Sequence, residues 1–333
     1  MVFDSAVKRV EYAQNIFEKR NTLMLNSLVE ICTSKFFNDT CLQLTDKSMK
    51  LLKRCSLTVF GSNRYQGNVM KPEEIIQKKL IFDQHEMRHY HLVWNMLKVN
   101  NFKKTQKRLA DKKLPKGITV LFHGYPGTGK TESVLQLARE TNRMIMRVDI
   151  SQSKSAWFGE SEKIIKKIFT DYDAFMEECD HTPILLLNEA DALIAKRNDV
   201  LSSNVKQTEN TMQNILLEGM ENFQGILIAT TNLVKNFDTA FERRFLFKVE
   251  FRKPSVAVKA KIWKQKMPLL SVKECELLGS RFDFSGGQIE NVTRKAEIHQ
   301  IIHGSSADLK KIIDFCEQET WDGERIQIGY LKN

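Results

Sequence analysis

The clearest hydrophobic pattern in the chain begins at residue 118, where short apolar runs alternate with longer amphipathic stretches. Short apolar runs are typical of buried strands, and apolar residues spaced three or four apart are typical of helices packed against them. Their alternation predicts a parallel sheet covered by helices. The predicted strands are 118–123, 144–150, 184–188, 225–231 and 246–251, and the predicted helices are 130–141, 160–178, 206–221 and 238–243.

The rest of the chain is predicted to be helical. After Pro254 the strand pattern stops, and before residue 118 a Pro/Gly joint runs from Leu114 to Gly117. The predicted helices after Pro254 are 255–267, 271–280, 286–302 and 306–319. The predicted domains are an all-helical N-terminal region at 1–66, a helical linker at 67–117, an α/β core at 118–252 and a small helical lid at 253–333.

Composition limits the class of protein. Hydrophobic residues make up 42% of the 333 residues and charged residues 28%, as in folded water-soluble proteins. The sequence has no apolar run of about 18 residues, so we expect no membrane span. Six scattered cysteines without a Cys-x-x-Cys pair indicate reduced thiols and a cytoplasmic location, with neither a zinc site nor a disulfide framework.

The formal net charge of +10 raises the question of an acidic partner. The densest basic stretch runs from Lys98 to Lys116 and is interrupted by Asp111. One interpretation is a contact with nucleic acid or phosphate. The other is the solvated face of a helix and linker. We favour the second, because no nucleic-acid-binding fingerprint accompanies the stretch.

The strongest chemical motif follows the first predicted strand of the core. Residues 124–131 fit the phosphate-binding loop G-x-x-x-x-G-K-[ST], which predicts the three-layer αβα core of a P-loop NTPase. Backbone N–H groups of such a loop and the following helix N-terminus hold phosphates. Lys130 is predicted to reach the β- and γ-phosphates of ATP, and Thr131 to hold Mg²⁺. The predicted nucleotide contacts are Gly124, Tyr125, Pro126, Gly127, Thr128, Gly129, Lys130, Thr131 and Glu132.

Two further strands end in polar residues suited to nucleotide hydrolysis. Asn188 and Glu189 follow the run 183–187, where a hydrolase needs one residue for Mg²⁺ and one that polarises water. Because Asn188 brings no negative charge, we expect it to hold Mg²⁺ weakly and through water. Asn232 follows the run 226–231 and is predicted to orient the attacking water. Ligands bind at the carboxyl ends of parallel strands, so we expect these residues to meet.

Taken in order, the motifs resemble those of the AAA+ ATPases, and specifically the AAA branch that includes katanin and spastin. More narrowly, they resemble a group of bacterial AAA-family ATP-binding proteins that often have Asn at the position of Asn188. The resemblance spans roughly residues 118–317. It rests on the phosphate loop and on residues 157–163, 187–191, 230–232, 237–245 and 284–291.

The resemblance implies a ring, a hexamer or another closed assembly, that acts on a protein client. In AAA proteins an aromatic–hydrophobic–Gly loop lines the central pore and grips a polypeptide, and Trp157, Phe158 and Gly159 match it. The alternative is that these aromatic side chains pack under the sheet. AAA proteins also send an arginine into the neighbour's nucleotide site. Arg244 matches it best and Arg243 is the second candidate, with surface salt bridges as the alternative.

Two departures from the family concern the nucleotide site. The Asp-Val/Ile-Gly-Gly segment that helps to hold adenine is missing from the sequence, so adenine contacts within 70–116 are unassigned. In the lid, Glu290 stands where some AAA+ branches place a sensor arginine. Arg294 lies one helical turn further along, and we interpret it as a surface charge.

We therefore expect a protein that binds and hydrolyses ATP with Mg²⁺ and remodels an unknown protein client as a ring. Two alternatives stay open. One is a slow ATP-dependent switch or scaffold, which Asn188 favours because its uncharged amide weakens the metal site. The other is a nucleic-acid-associated AAA+ module, which the basic stretch favours.

Overall fold

The computed structural model describes residues 14–15, 18, 20–33, 40–45, 47–48, 51–52, 68–150, 161–194, 203–233 and 238–320. The chain divides into two compact units. The first comprises residues 1–63 and the second residues 64–333.

The first unit contains a short helix and a two-stranded antiparallel sheet. These elements are α1 (Thr22–Leu25), β1 (Val29–Thr33) and β2 (Thr40–Leu44). In the sheet, Val29 of β1 lies opposite Leu44 of β2.

The prediction of an all-helical N-terminal region is therefore wrong at the two strands. The pattern there was ambiguous, because short apolar runs fit either the helical or the strand period. In β1 the residues Val29, Ile31 and Thr33 alternate with Glu30 and Cys32. Side chains branched at Cβ favour strands, and this preference decides the outcome at β1.

The second unit is built on a six-stranded sheet. Its strands are β3 (Asn68–Met70), β4 (Ile118–Gly124), β5 (Ile145–Asp149), β6 (Ile184–Asn188), β7 (Ile226–Thr231) and β8 (Phe247–Phe251). Their order is β3-β5-β6-β7-β4-β8. The strands β4 to β8 run parallel, and β3 adds an antiparallel edge beside β5. The five predicted strands are confirmed to within one residue at each end. The prediction of a helical linker at 67–117 is wrong at β3, which pairs with β5 as a strand.

Helices separate the strands and follow the last one. They are α2 (Gln84–Leu97), α3 (Val99–Asp111), α4 (Lys130–Glu140), α5 (Ser161–Glu178), α6 (Asp191–Ile194), α7 (Ser203–Asn222), α8 (Thr239–Arg244), α9 (Val256–Lys266), α10 (Val272–Arg281), α11 (Gly286–His303) and α12 (Leu309–Glu317). Among the described residues, none of these helices is long and apolar enough to cross a membrane.

Alternate residues of the strands face opposite layers, which makes the core three-layered. On β6, Leu185 and Leu187 pack with α5 and α7, whereas Ile184 and Leu186 pack with α2, α3 and α4. Both faces are apolar because each is covered by helices, as expected of parallel sheets. The predicted αβα arrangement is confirmed.

The last four helices form a separate small core around Trp263, which is fully buried. Helix α11 begins at the Ser285 cap, whose hydroxyl accepts the Gln288 backbone N–H at 3.4 Å while the Gln288 side chain accepts the Ser285 N–H at 3.0 Å. This reciprocal capping defines where α11 starts. The prediction of a helical C-terminal lid is confirmed.

The segment before β4 lies against the sheet through a buried guanidinium. Arg143 is 1% exposed and sits above the Phe102 ring of α3, 4.5 Å from its centroid. It donates to the Leu97 carbonyl from Nε at 3.1 Å and Nη2 at 2.9 Å, and to the Thr182 carbonyl from Nη1 at 2.6 Å. One side chain thus ties the end of α2 and the approach to β6 to the start of β5.

We predict that Arg143→Ala lowers the free energy of unfolding by about 3 kcal/mol, because two buried carbonyls lose their donors. Urea unfolding followed by circular dichroism measures the change. The matched control is Arg294→Ala, which removes an exposed arginine of α11 and should stay within about 0.5 kcal/mol of the parent. Equal stabilities of the two variants would contradict the prediction.

Candidate functional site

The phosphate loop joins β4 to α4 with a backbone that suits glycine. Gly124, Gly127 and Gly129 have φ of 136°, 70° and 92°, in the region that side chains disfavour. A Cβ on Gly124 would lie 2.0 Å from the Phe251 carbonyl oxygen of β8. The loop therefore depends on glycine both for its turn and for its close approach to the neighbouring strand.

Lys130 is held inside this loop. Its side chain is 6% exposed, and Nζ donates to the carbonyl oxygens of Gly124 at 2.9 Å and Tyr125 at 2.7 Å. Burial lowers the pKa of Lys130 to about 8, and the charge of Asp191 opposes part of that shift. A buried ammonium with only carbonyl partners in the loop is suited to binding an anion.

Thr131 and Asn188 meet at the end of the phosphate loop, as the sequence predicted for the metal site. The Thr131 hydroxyl donates to Asn188 Oδ1 at 2.8 Å, and the Thr230 hydroxyl donates to the same oxygen at 3.0 Å. Because Thr131 gives its proton to Asn188, its lone pairs are left for a cation. Oxygen donors of this kind fit Mg²⁺.

A metal at this position would need oxygens from a bound nucleotide as well. Within the described part of the chain, no group of three or more His, Cys, Asp or Glu residues could hold a metal ion. Mg²⁺ is commonly bound by few protein ligands together with substrate phosphates and water. The residues therefore fit Mg²⁺ bound together with a triphosphate.

Glu189 comes directly after β6 with a φ of 54°, which is uncommon for a residue other than glycine. Its backbone N–H donates to the Thr230 hydroxyl at 3.2 Å. The side chain is exposed and lines the same cavity as the phosphate loop. Backbone strain at an exposed acid beside a phosphate loop is consistent with a reactive position.

Asn232 follows β7 and also lines this cavity. Its backbone N–H donates to Asp191 Oδ1 at 2.8 Å, and the Thr231 hydroxyl donates to the same oxygen. Asp191 therefore fixes the end of β7 from the first turn of α6. In the sequence motifs, Asp191 is included only within the segment 187–191, because nothing local reveals that it caps another strand.

The cavity has a volume of about 790 Å³, within the usual range for small-molecule sites. Of the predicted nucleotide contacts, Pro126 to Glu132 line it, whereas Gly124 and Tyr125 do not. Glu132 forms an ion pair with Lys78 at 2.8 Å. The cavity is further lined by Gln77, Lys78, Lys79, Leu80, Ile81, Phe82, Leu135, Arg147, Ile262, Gln265 and Lys266, which the sequence left unassigned, and by Gly286, Gly287 and Glu290 of the lid.

The lid contacts the core across this cavity. The Gly287 N–H donates to the Gly127 carbonyl of the phosphate loop at 2.8 Å, and Gln265 Nε2 donates to the Lys79 carbonyl at 3.1 Å. Glu290 lines the cavity and pairs with Lys266 at 3.2 Å. Arg294 is exposed and is not among the lining residues, in line with its interpretation as a surface charge.

The two candidate arginines lie on α8, away from the cavity of their own chain. Arg244 forms an ion pair with Glu221, and its backbone carbonyl accepts the Thr119 hydroxyl at 2.6 Å. Arg243 is exposed. The other predicted element, Trp157, Phe158 and Gly159, lies outside the described residues.

Comparison with known proteins assigns a class to this arrangement. Residues 120–253 match the family model described as "ATPase family associated with various cellular activities (AAA)". The chain therefore carries an AAA domain, which spans the phosphate loop and the strand ends beside it.

Curated relatives match more than half of the chain. Cell division protein C of Sulfolobus acidocaldarius is 27% identical over 192 residues, 56% of this chain and 51% of that protein. The 26S proteasome regulatory subunit 4 homolog of Encephalitozoon cuniculi is 32% identical over 194 residues, which are 55% of this chain and 44% of that protein. The proteasome-activating nucleotidase of Saccharolobus islandicus is 30% identical over 210 residues, 60% and 52%. The chain spans about half the length of these relatives.

Solved structures share the fold at low identity. The FIGL-1 AAA domain in complex with ADP has a TM-score of 0.54 at 16% identity, covering 73% of this chain and 86% of that chain. A katanin structure that addresses katanin self-assembly has a TM-score of 0.52 at 19% identity, covering 77% and 82%. The predicted fold class is confirmed, and the family model confirms the resemblance to the AAA ATPases.

We predict that nucleotide affinity falls as the pH rises through about 8. Bound phosphates favour the protonated form of Lys130, so binding takes up a proton once the free lysine has lost it. The affinity for a fluorescent ADP analogue should drop about tenfold between pH 7 and 9. Titrations in Lys130→Met supply the control: this variant should bind weakly with no such slope, and an equal slope in both proteins would refute the assignment.

Proposed function

We propose that the protein binds and hydrolyses ATP with Mg²⁺, and that it works as a ring on a protein client. One observation carries the proposal. Four residues surround one phosphate loop, at or beside the carboxyl ends of neighbouring parallel strands. They are Thr131, Asn188, Glu189 and Asn232. Each residue type suits a separate task in hydrolysis, and the loop accounts for the triphosphate.

Nucleotide binding is the first task. The loop N–H groups, the N-terminus of α4 and the buried Lys130 would hold the phosphates. The residues at 77–82 and the lid residues opposite them form the remaining wall of the cavity, so we propose that they hold the base and ribose. Ile81 and Ile262 offer apolar contact there, and Gln265 offers an amide.

Hydrolysis is the second task. Bound Mg²⁺ would neutralise charge on the phosphate oxygens, with Thr131 and Asn188 as its protein partners. Glu189 would polarise the attacking water, and Asn232 would orient it. The hydrogen bonds to Asp191 and Thr230 fix the backbone from which these two side chains project into the cavity.

The ring is proposed from the position of Arg244 and from the relatives. Arg244 does not line its own chain's cavity, and it is a half-buried residue at the C-terminal end of α8. A guanidinium supplied by a neighbouring subunit stabilises charge on a transferring phosphoryl group. The katanin structure concerns self-assembly, which supports an oligomer here. The client and the gripping role of Trp157, Phe158 and Gly159 rest on the family resemblance.

A slow nucleotide switch is the second candidate, and the neutral amide of Asn188 favours it. The same fold and cavity would then bind nucleotide to drive assembly, with little turnover. The nucleic-acid alternative gains no comparable support. Lys103, Lys104 and Lys107 are exposed on α3, as a solvated helix face would be.

We predict that Glu189→Gln lowers kcat for ATP hydrolysis at least about a hundredfold, because the carboxylate that polarises water is lost. ATP affinity should stay within a few fold, since the amide preserves size. Phosphate release at saturating ATP and a separate binding titration measure the two quantities. Glu297→Gln, an exposed change on α11, is the control for which both should match the parent. If the parent binds ATP but does not turn it over, the switch is favoured.

We predict that Arg244 acts in the neighbouring subunit's site. Arg244→Ala alone should lose at least about a hundredfold in kcat, and so should Glu189→Gln. Mixing the two inactive variants should restore activity, because an Arg244→Ala site can receive the arginine of a Glu189→Gln subunit. Glu221→Gln removes the ion-pair partner of Arg244 and should remain active. A mixture that stays inactive would contradict donation between subunits.

A further inference from the structure

Asn188 has a carboxylate partner on the adjacent strand. Asp149, the last residue of β5, lies opposite Asn188 in the sheet register. Asn188 Nδ2 donates to Asp149 Oδ1 at 2.7 Å. The sequence places these residues on separate predicted strands and does not reveal that they pair.

Before a cation binds, the shape of an amide side chain does not decide which of its ends faces the metal position. Its oxygen and its NH₂ group are nearly equal in size, so a neighbour must select the orientation. If the amide were reversed, the NH₂ group would face Thr131 and the position proposed for Mg²⁺, where a donor opposes a cation. An ionised carboxylate accepts hydrogen bonds and donates none, so Asp149 selects the orientation with the oxygen toward Thr131.

Asp149 is itself held in place. Arg147, two residues earlier on β5, donates to Asp149 Oδ1 from Nε at 3.1 Å and from Nη2 at 2.9 Å. Arg147 also lines the nucleotide cavity. Charge-assisted hydrogen bonds of this kind are stronger than neutral ones, so the carboxylate has a fixed direction.

The orientation of the amide affects two neighbours at once. Asn188 Oδ1 accepts from Thr131, which the proposed function assigns to Mg²⁺, and from Thr230. Thr230 in turn accepts the backbone N–H of Glu189. A reversed amide would therefore disturb both the metal position and the support of the catalytic acid.

We propose that Asp149 is the positioning residue for Mg²⁺: the Asp149–Asn188 pair performs, across two strands, the task that one carboxylate performs elsewhere. Asp149, whose charge Arg147 partly balances, orients the amide, and Asn188 presents the oxygen. The inference rests on the proposed function, because it assigns a role at the same nucleotide site.

The pair predicts that each single substitution is unfavourable and that exchanging the two residues is tolerated. Asn188→Asp alone would place two carboxylates in contact at the 2.7 Å spacing of the present hydrogen bond, which is repulsive. Asp149→Asn alone would remove the charge and allow the Asn188 amide to reverse. Exchanging the two residues would restore one carboxylate and one amide, with the carboxylate now accepting from Thr131.

The test measures ADP affinity by calorimetry, once in excess EDTA and then across a Mg²⁺ titration. In EDTA both single variants should stay within about twofold of the parent, because the phosphate loop is intact. The Mg²⁺ concentration that gives half of the affinity gain should rise about tenfold in Asp149→Asn and should not fall in Asn188→Asp. In the exchange variant Asp149→Asn/Asn188→Asp, this Mg²⁺ concentration should return to within about threefold of the parent's value. Asp180→Asn, an exposed change after α5, is the matched control.

The outcomes separate this inference from the proposed function. If Mg²⁺ strengthens ADP binding equally in the parent and in Asp149→Asn, the proposed role of Asp149 is wrong and the nucleotide site stands. The same conclusion follows if Asn188→Asp alone lowers the Mg²⁺ concentration needed for half of the affinity gain. If the parent binds no nucleotide in either condition, both proposals fall. Thermal melting monitors folding of each variant. If Asp149→Asn unfolds, the exchange variant decides: binding like the parent supports the pair, and weak binding or unfolding overturns it.

Discussion

The hydrogen bond from Thr131 to Asn188 joins the phosphate loop to a strand that ends beside it. It forms because β4 and β6 both run parallel to β7, which lies between them and brings their carboxyl ends to one edge of the sheet. Thr230 on β7 completes the contact by bonding to the same oxygen. A slip of one residue in either register would turn these side chains to the opposite face. The site is therefore a consequence of strand pairing.

Burial explains why the strand ends are so fully hydrogen-bonded. Asn188, Thr230 and Thr231 are 4%, 2% and 1% exposed, so an unpaired polar atom on any of them would cost free energy. The polar groups at the strand ends form hydrogen bonds with one another, and Asp191 on the next helix accepts a hydrogen bond from the Thr231 hydroxyl. The same hydrogen bonds that stabilise the buried edge also hold the groups in position before any ligand arrives. Stability and preorganisation thus come from one set of contacts.

Features that depend on neighbouring residues could be predicted from the sequence. Apolar runs revealed the core strands, and the glycine spacing revealed the loop at 124–131, because both signals lie within a few residues. The pattern failed at β1 and β2, where short apolar runs suit either period. It also left residues 77–82 unassigned, since they line the cavity without regular structure. The Asp149–Asn188 contact joins residues 39 apart, and only the sheet register makes them neighbours.

Reading Asn188 by itself suggests a weakened metal site, because a charge is missing where hydrolases carry one. The sheet changes that interpretation, since the neighbouring strand places Asp149 within hydrogen-bond distance of the amide. A charge at the end of one strand also acts on the end of the neighbouring strand, because parallel strands lie only about 4.8 Å apart. A neutral residue beside a charged one can therefore present a polarised oxygen with a defined direction. Under the proposed role of Asp149, the neutral amide of Asn188 no longer argues against hydrolysis.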